Sequence, residues 1–492
     1  MNTLIIGAGV GGLSLAALLA LKGDKITVIE KNSSPGGRAR VYREKGFTFD
    51  MGPSWYLMPD IFENFFNELG TSVEDNYQLV RLDPSYRIFF EDGSINDISG
   101  KLDENIELFN QLEPSGGEKL EEYLEKAANH YEIAKNELLY RDYDYLLNLI
   151  DGKLLLSSLK LPLFTNIDNY ISGIFRTDKV RKILEYSIGF VGGSTKNTPA
   201  IYYIMNHVDF NLGVWYPQNG VFQVIESLYK ICLENGVKFE FDNPVTEILV
   251  EDGKAKGVKT LNENYYADRV IVNADYAYTE LELLDEKYQS YNRSYWENRL
   301  LAPSALVIYL GLNKKLPSLL HHNLYLAGDW SLDFNQLYDP AKPDWPANVS
   351  YYVNITSKTD PQVAPKEGET VFILIPLPSG TPDTPQNREV WYIKIIQHLE
   401  NLMGESIIGH EVVKRVFGPN DFSNDYNAYK ETSLGLVHTI RQSAIFRPSH
   451  RSKKVKNLYY NGHYTHPGIG MPLVLISSKI LSEHLIKEDS IS

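Results

Sequence analysis

Apolar and polar positions along this chain change period several times, and each change marks an element. Leu4, Ile5 and Ile6 form a short aliphatic run of the kind found in buried strands. Apolar positions then follow helical spacing to Lys22, Gly23 interrupts them, and Ile26 to Ile29 returns to a strand that ends at Glu30. Phe47-x-Phe49-Asp50 alternates as a strand and runs into the turn at Gly52-Pro53. From Pro59 to Asn136 the pattern is mostly helical and acidic, apart from a strand pair near Tyr86 to Asp97 around Asp92-Gly93. Leu146 to Phe164 is aliphatic but broken by Gly152 and Pro162, with Lys153 and Lys160 flanking its centre. That pattern fits a helical pair dipping into a membrane interface, and equally an ordinary buried helix.

The second half is richer in strands. Ser187 to Thr195 is glycine-interrupted and precedes a helix-like run to His207. Gly213 to Gly220 leads into an apolar helix pattern from Val221 to Leu233. Val237 to Asp275 reads as short strands with a hairpin at Asp252-Gly253, which suggests that the chain returns to its first domain and makes that domain discontinuous. Ala305 to Leu312, Ala347 to Val353 and Thr370 to Leu377 predict a second sheet, with polar, proline-rich loops such as Tyr338 to Pro346 between strands. A helix is expected over Arg388 to Leu402 and a short strand over Asn457 to Asn461. After GHYTHPGIGMP, an aliphatic helix runs to Ile486.

Chemistry enters at both ends. Gly7-x-Gly9-x-x-Gly12 sits between the first strand and its helix, the context a dinucleotide fingerprint requires. Gly7 allows the tight turn, Gly9 lets backbone approach a pyrophosphate, and Gly12 lets the helix lie close to the sheet. Free N–H groups at the helix start favour phosphate there, and Glu30 is placed to accept from a ribose diol. Gly36 and Gly37 give a second tight turn with Arg38 beside it, whose planar fork suits a phosphate oxygen. A surface turn with a solvated arginine fits the same residues. At the other end Gly468 and Gly470 bracket Ile469, and Pro472 opens the last helix, where a missing N–H costs nothing. Backbone N–H groups near Gly470 and Met471 at a helix start suit an isoalloxazine ring, whose reduced form carries negative charge near N1 and O2. A buried strand-to-helix turn is the plainer alternative. His466, held extended before Pro467, is the single candidate proton carrier, although a lone histidine more often has a structural role.

Composition narrows the classes. With 492 residues the chain should hold two or three domains, and 43% hydrophobic with 23% charged residues is ordinary for a globular protein. One cysteine, Cys232, excludes an internal disulfide and a cysteine metal cluster, and implies a reducing compartment. The sequence holds no HExxH, no paired-histidine ligand set and no Gly-x-Ser-x-Gly elbow, so no metal site or hydrolase is expected. A formal charge of −15 argues against nucleic-acid binding. The first apolar run lacks a basic lead and is broken by glycines, so it reads as the fingerprint helix rather than a signal peptide. No stretch reaches about 18 uninterrupted apolar residues, so no membrane-spanning helix is expected. The 33 tyrosines suit a large apolar cavity or a membrane interface, and plain core and surface positions equally.

The opening fingerprint, KNSSPGGRA, FTFDMGPSW, GVWYPQNG, VNAD, RQSAIFRPSHR and NLYYNGHYTHPGIGMP together resemble the bacterial and archaeal phytoene desaturases. These are FAD-dependent carotenoid desaturases of the amine-oxidase-like flavoprotein superfamily. The similarity spans nearly the whole chain and is weakest over residues 59–182. It implies an α/β protein with a discontinuous Rossmann-like FAD-binding domain (1–75, 218–278 and 450–488). A mixed-sheet substrate domain (76–100, 187–217 and 279–449) and a helical membrane-docking region (101–186) complete it. By position, Gly7, Gly9, Gly12, Glu30, Gly37 and Arg38 match the ADP-binding half. Val245 matches the adenine strand, Asn273 the VNAD strand end, and Gly462, Gly470, Met471 and Pro472 the flavin-ring end. Relatives often carry Gly-Ala-Gly where this chain has Gly462-His463-Tyr464, so bulk here alters the surroundings of the ring. They also carry Gly-Gly where this chain has Asn219-Gly220.

The implied reaction moves a hydride from an allylic C–H bond of a long polyene to flavin N5 while a proton leaves the neighbouring carbon. Phytoene to a lycopene-type carotene is the leading expectation, with quinone or oxygen reoxidising the flavin. Positioning and exclusion of water carry most of the catalysis, and His466 is the only candidate base. A carotenoid oxygenase or isomerase, a C30 dehydrosqualene desaturase, an amine oxidase and a non-catalytic prenyl-lipid carrier are the competing readings. A cytoplasmic protein attached peripherally to the membrane is expected, through Leu146 to Phe164 and the basic run Arg447, Arg451, Lys453, Lys454, Lys456, a run that a solvated loop would also show.

Overall fold

The computed structural model describes residues 1–144, 161–328, 336–338, 344–346 and 349–490. Its first layer is a five-stranded parallel sheet in the order Leu458–Tyr460, Arg269–Val272, Asn2–Ile6, Lys25–Ile29, Lys238–Glu240. Near-continuous aliphatic runs suit a parallel strand covered on both faces, and Ile5, Val28 and Ile271 are fully buried. The helix Val10–Leu21 packs against both Met471–Asp489 and Phe222–Glu234. Ser14 Oγ lies 2.7 Å from Ser478 Oγ, so the two ends of the chain close on each other.

Only Lys238–Glu240 and Arg269–Val272, of the strands expected between Val237 and Asp275, enter this layer. Val245–Glu251, Lys254–Thr260 and Asn264–Tyr266 form a separate antiparallel sheet. Its hairpin turns at Asp252 and Gly253, both at positive φ, as a two-residue turn matched to strand twist requires. The three-residue strand Asn264–Tyr266 is too short to carry a readable period.

The second large sheet has seven strands, ordered Glu411–Phe417, Ser304–Leu312, Glu369–Leu377, Tyr351–Asn354, His322–Leu326, Tyr86–Phe90, Ile95–Ile98. It is mixed: Asn323 pairs with Arg87 in a parallel ladder and the other pairs are antiparallel. The strand expected at Ala347 to Val353 is found at Tyr351–Asn354, and residues 347–348 lie outside the described residues. His322–Leu326 and Glu411–Phe417 were not expected. The first opens on buried His322 and Asn323, which read as loop residues, and the second mixes Glu411, Lys414 and Arg415 with valines in no regular period.

Helices Leu102–Leu112, Gly116–Ala134, Ile167–Ser172 and Asp178–Glu185 cover one side of this sheet's core. Most of the aliphatic segment Leu146 to Phe164 falls outside the described residues, of which Leu161 to Phe164 belong to it. Phe164 is 89% exposed. Among the described residues no helix is long and apolar enough to cross a membrane. The basic run is split: Arg447 is buried at 5% exposure, donating to the carbonyls of Leu436, His463 and Tyr464, whereas Lys453, Lys454 and Lys456 are exposed. Arg447 therefore belongs to the interior and not to a solvated basic face.

Candidate functional site

The first glycine turn is shaped by close contacts. Gly7 sits at φ +98°, and a Cβ on Gly12 would lie 2.0 Å from Gly7 O. Gly12 thus lets the helix start rest on the turn itself. Gly36 N donates to Ala8 O at 2.8 Å, and a Cβ on Gly37 would lie 3.2 Å from Gly9 Cα. The two glycine turns, nearly thirty residues apart, are in backbone contact. Glu30 is buried: Oε2 accepts from Ala8 N at 2.8 Å and Oε1 from Asn32 N and Nδ2 at 2.8 and 3.0 Å. Its carboxylate clamps the turn from below. Val245 opens an edge strand close by, because Asn243 N donates to Glu30 O at 3.0 Å.

Asn273 joins the two ends of the chain. Its Nδ2 donates to Gly7 O at 3.3 Å, and its Oδ1 would lie 2.3 Å from a Cβ on Gly11 and 3.2 Å from one on Gly462. Asn461 Nδ2 donates to Gly11 O at 2.8 Å beside it. Gly462, Gly468 and Gly470 all have positive φ. Gly470 caps the helix Met471–Asp489 with Pro472 in its first turn, and Met471 is buried. Gly470 itself is exposed, and a Cβ there would meet nothing closer than Pro472 Cδ at 3.9 Å. Open space therefore lies in front of this helix start, where the dipole favours negative charge.

Arg38 reaches across to the same region. Its guanidinium lies 3.4 Å from His463 Nε2 and from Thr432 O, and 3.9 Å from Asp275 Oδ2. Arg38 Nε is buried with no partner among the described residues, an open donor beside the glycine turns. Asp275 is fully buried; burial pushes its carboxyl up, and Arg38, backbone N–H groups and Tyr464 oppose that. Tyr464 Oη donates to Asp275 Oδ2 at 2.9 Å. Burial holds the His463 ring well below the usual imidazole range, with Arg38 and Arg447 pushing the same way. His463 and Tyr464 thus form an inner polar web with Arg38 and Asp275. The sequence marked VNAD as a strand end but nothing in it showed that Asp275 would face Arg38, 237 positions away along the chain.

His466 is placed by two backbone carbonyls. Its Nε2 lies 3.1 and 3.0 Å from Leu138 O and Leu139 O, so it donates there, and Nδ1 is buried without a partner among the described residues. Burial pushes the ring down to about 3. At neutral pH it is a neutral, weakly basic group that ties the C-terminal turn to residues 135–139. Among the described residues no cluster of side chains is arranged to hold a metal.

Two glycine turns in contact, an acid beneath them and a helix start facing open space are the arrangement of a dinucleotide-binding protein. The flavin containing amine oxidoreductase family model matches residues 10–486. The chain belongs to that family, in its phytoene desaturase group, and is an oxidoreductase with FAD as cofactor. It is 41% identical over 488 residues to the carotenoid 3,4-desaturase of Haloarcula japonica, covering 98% of each chain. It is 31% identical over 489 residues to the zeta-carotene-forming phytoene desaturase of Myxococcus xanthus, covering 98% of this chain and 93% of that protein. An oxidoreductase from Methanosarcina mazei shares the fold, with a TM-score of 0.64 at 18% identity over 98% of this chain and all of the other.

Proposed function

We propose that the protein desaturates a long polyisoprenoid, removing hydrogen from neighbouring carbons of a carotenoid held against FAD. The observation that carries this reading is that the two glycine turns touch and Asn273 lies between Gly7 and Gly462, with Arg38 Nε an open donor among the described residues and open space at Gly470. Those features fit FAD. Gly7, Gly9, Gly12, Gly37 and Arg38 would hold its phosphates, and Glu30, Val245 and Asn273 its ADP half. Gly462, Gly470, Met471 and Pro472 would face its ring. When bound, FAD supplies the two-electron oxidant for an allylic C–H bond. The chain's own work is to hold the polyene in register and keep water out. His466 keeps the C-terminal turn in place through Leu138 O and Leu139 O, and burial makes its ring a weak base.

The proposal keeps the three-part division of the chain, with 101–186 as the part nearest the membrane and Phe164 as an exposed apolar contact beside it. Attachment is peripheral, and quinone or oxygen takes the electrons. For the substrate, the higher of the two identities belongs to a protein named for the 3,4 bond, which favours an already conjugated carotene. Phytoene as substrate, with a lycopene-type product, is the second reading, favoured by the Myxococcus relative. A lipid carrier would have no use for a flavin, and that reading is set aside.

The test incubates the FAD-loaded protein with liposomes carrying either phytoene or lycopene, followed by chromatography and visible spectra. A product absorbing at longer wavelength from lycopene supports the leading reading, and one from phytoene alone selects the second. No new product from either refutes both.

A further inference from the structure

Loss of a proton from the carbon beside the hydride donor needs an acceptor, and burial leaves His466 a weak one. The interior of the mixed-sheet layer holds a better placed group. Asp209 lies in the turn Val208–Leu212 and is 3% exposed. One of its oxygens, Oδ2, accepts from Tyr86 Oη at 2.7 Å and from Tyr186 Oη at 2.9 Å. The other, Oδ1, is buried with no partner among the described residues. A carboxyl group that served only as a core tie would have donors on both oxygens. Here both donors crowd one oxygen, within a cluster of buried aromatic rings.

That cluster leads back to the glycine turns. The Trp55 ring is 5.4 Å from Tyr86 and 6.0 Å from Tyr186, and it stacks on His322 at 4.1 Å with an interplanar angle of 6°. His322 Nδ1 is bonded to Tyr352 Oη at 2.7 Å, whereas its Nε2 is a second buried atom without a partner among the described residues. Trp55 follows Gly52, where a Cβ would lie 2.0 Å from Arg38 O. On the other side Val208, next to Asp209, packs with Met58 and with Ile476 and Ile480 of the C-terminal helix. Asp209 is therefore one aromatic ring away from the segment seated on Arg38, and one residue away from contact with the helix that starts at Gly470.

We propose that Asp209 is the proton acceptor of the desaturation, taking the proton at Oδ1. The inference rests on the proposed function. In the balanced step one C–H bond gives up its hydrogen with both electrons to the bound flavin. The neighbouring C–H bond gives its proton to Oδ1, and its electron pair becomes the new C=C bond. Asp209, now a carboxylic acid, passes the proton to solvent before the next turnover. Trp55 packs on Tyr86, Tyr186 and Tyr352 beside Asp209, and these rings would stabilise positive charge developing on a polyene brought to Oδ1.

Burial pushes the Asp209 carboxyl up to about 7, and the two phenols oppose that rise. It therefore exchanges a proton near neutral pH, as an acceptor must. The groups facing it are Tyr86 and Tyr186, with Tyr352 and His322 behind them; burial holds His322 neutral. From the helix Gly116–Ala134 come Tyr123, bonded to Asn206, and Tyr131, bonded to Asp60. On its own turn His207 is lowered by burial. None of these is a cation at neutral pH.

The test uses the full FAD-loaded protein and the variants D209N, Y86F and Y186F. D209N keeps an oxygen for both phenols and has no basicity. Flavin absorbance establishes that each variant holds its cofactor, and difference infrared spectra against D209N follow the Asp209 carboxyl band with pH. The expected results are a band that titrates near pH 7 and a drop in turnover of roughly 100-fold or more in D209N, the usual scale for a lost general base. Y86F and Y186F should move both the band midpoint and the acid limb of the turnover profile to higher pH, since each removes a donor to the carboxylate. The acid-limb shift in Y86F and Y186F is read without D209N and stands even when that variant fails to fold. An active wild type with D209N within a few-fold of it, or a band midpoint that moves while the acid limb stays, overturns the proton transfer alone. A wild type that desaturates no polyene overturns the proposed function as well.

Discussion

Replacing Gly12 by alanine is the sharpest test of how the first turn holds its cofactor. The new Cβ would sit 2.0 Å from Gly7 O, 3.1 Å from Asn273 Nδ2 and 3.2 Å from Gly7 C. Comfortable carbon–oxygen contact needs over an ångström more, and no flexible side chain is available to give way at Gly7 O. Gly7 is itself held by its N–H to Ile29 O at 2.8 Å, and its carbonyl accepts from Asn273. The turn must therefore move off the helix start, at the ~1–3 kcal/mol typical of overpacking. If that strain falls on the cofactor-binding conformation, FAD affinity drops by roughly 5- to 150-fold. Gly23→Ala is the internal control. It lies at φ +95° with nothing within 4 Å of its Cβ position, so it strains the backbone by roughly 1–3 kcal/mol without touching the turn. Fluorescence titration of apoprotein with FAD, beside thermal unfolding of each variant, separates the two. G12A should lose affinity and G23A should lose stability alone. Wild-type FAD affinity in G12A, or a larger loss in G23A, would refute the account of Gly12 as a packing glycine.

Three further outcomes follow from the same geometry. R38K keeps the charge and loses the planar fork whose Nε is left open, so FAD affinity should fall about tenfold or more by the same titration, on the scale of one charge-assisted hydrogen bond. R447M removes the donors to the carbonyls of Leu436, His463 and Tyr464 in the interior, and should cost about 3 kcal/mol or more in denaturant unfolding. Burial pushes the Glu185 carboxyl up to about 8, with Asp168 adding to the rise. The folded state then binds the extra proton, so stability falls as pH rises from the usual glutamate range through about 8. Unfolding at pH 5 and pH 9 should show that loss in the wild type and a smaller one in E185Q; an equal loss in both refutes it.

Much of the local architecture was legible because it is local. The aliphatic run Leu4 to Ile6, the glycine spacing, the helix to Lys22 and the strand before Glu30 each depend on neighbours a few residues away. The hairpin at Asp252-Gly253 and the proline-led last helix are the same kind of signal. The strand His322–Leu326 was hidden because its first residues are polar and buried, and burial of a histidine is decided by what lands on it, here Trp55. Arg447 reads as surface charge until the carbonyls of Leu436, His463 and Tyr464, from the segments on either side of it, accept from its guanidinium.

By itself, then, the sequence determined most element types and the glycine turns, since turn and helix preferences act over a few residues. Tertiary structure alone decided that Gly9 meets Gly37, that Asn273 bridges Gly7 and Gly462, that Arg38 faces Asp275, and that Asp209 keeps one oxygen without a partner among the described residues. Those pairings join residues far apart in the chain, and their energies come from burial and exclusion of water, which no local pattern records.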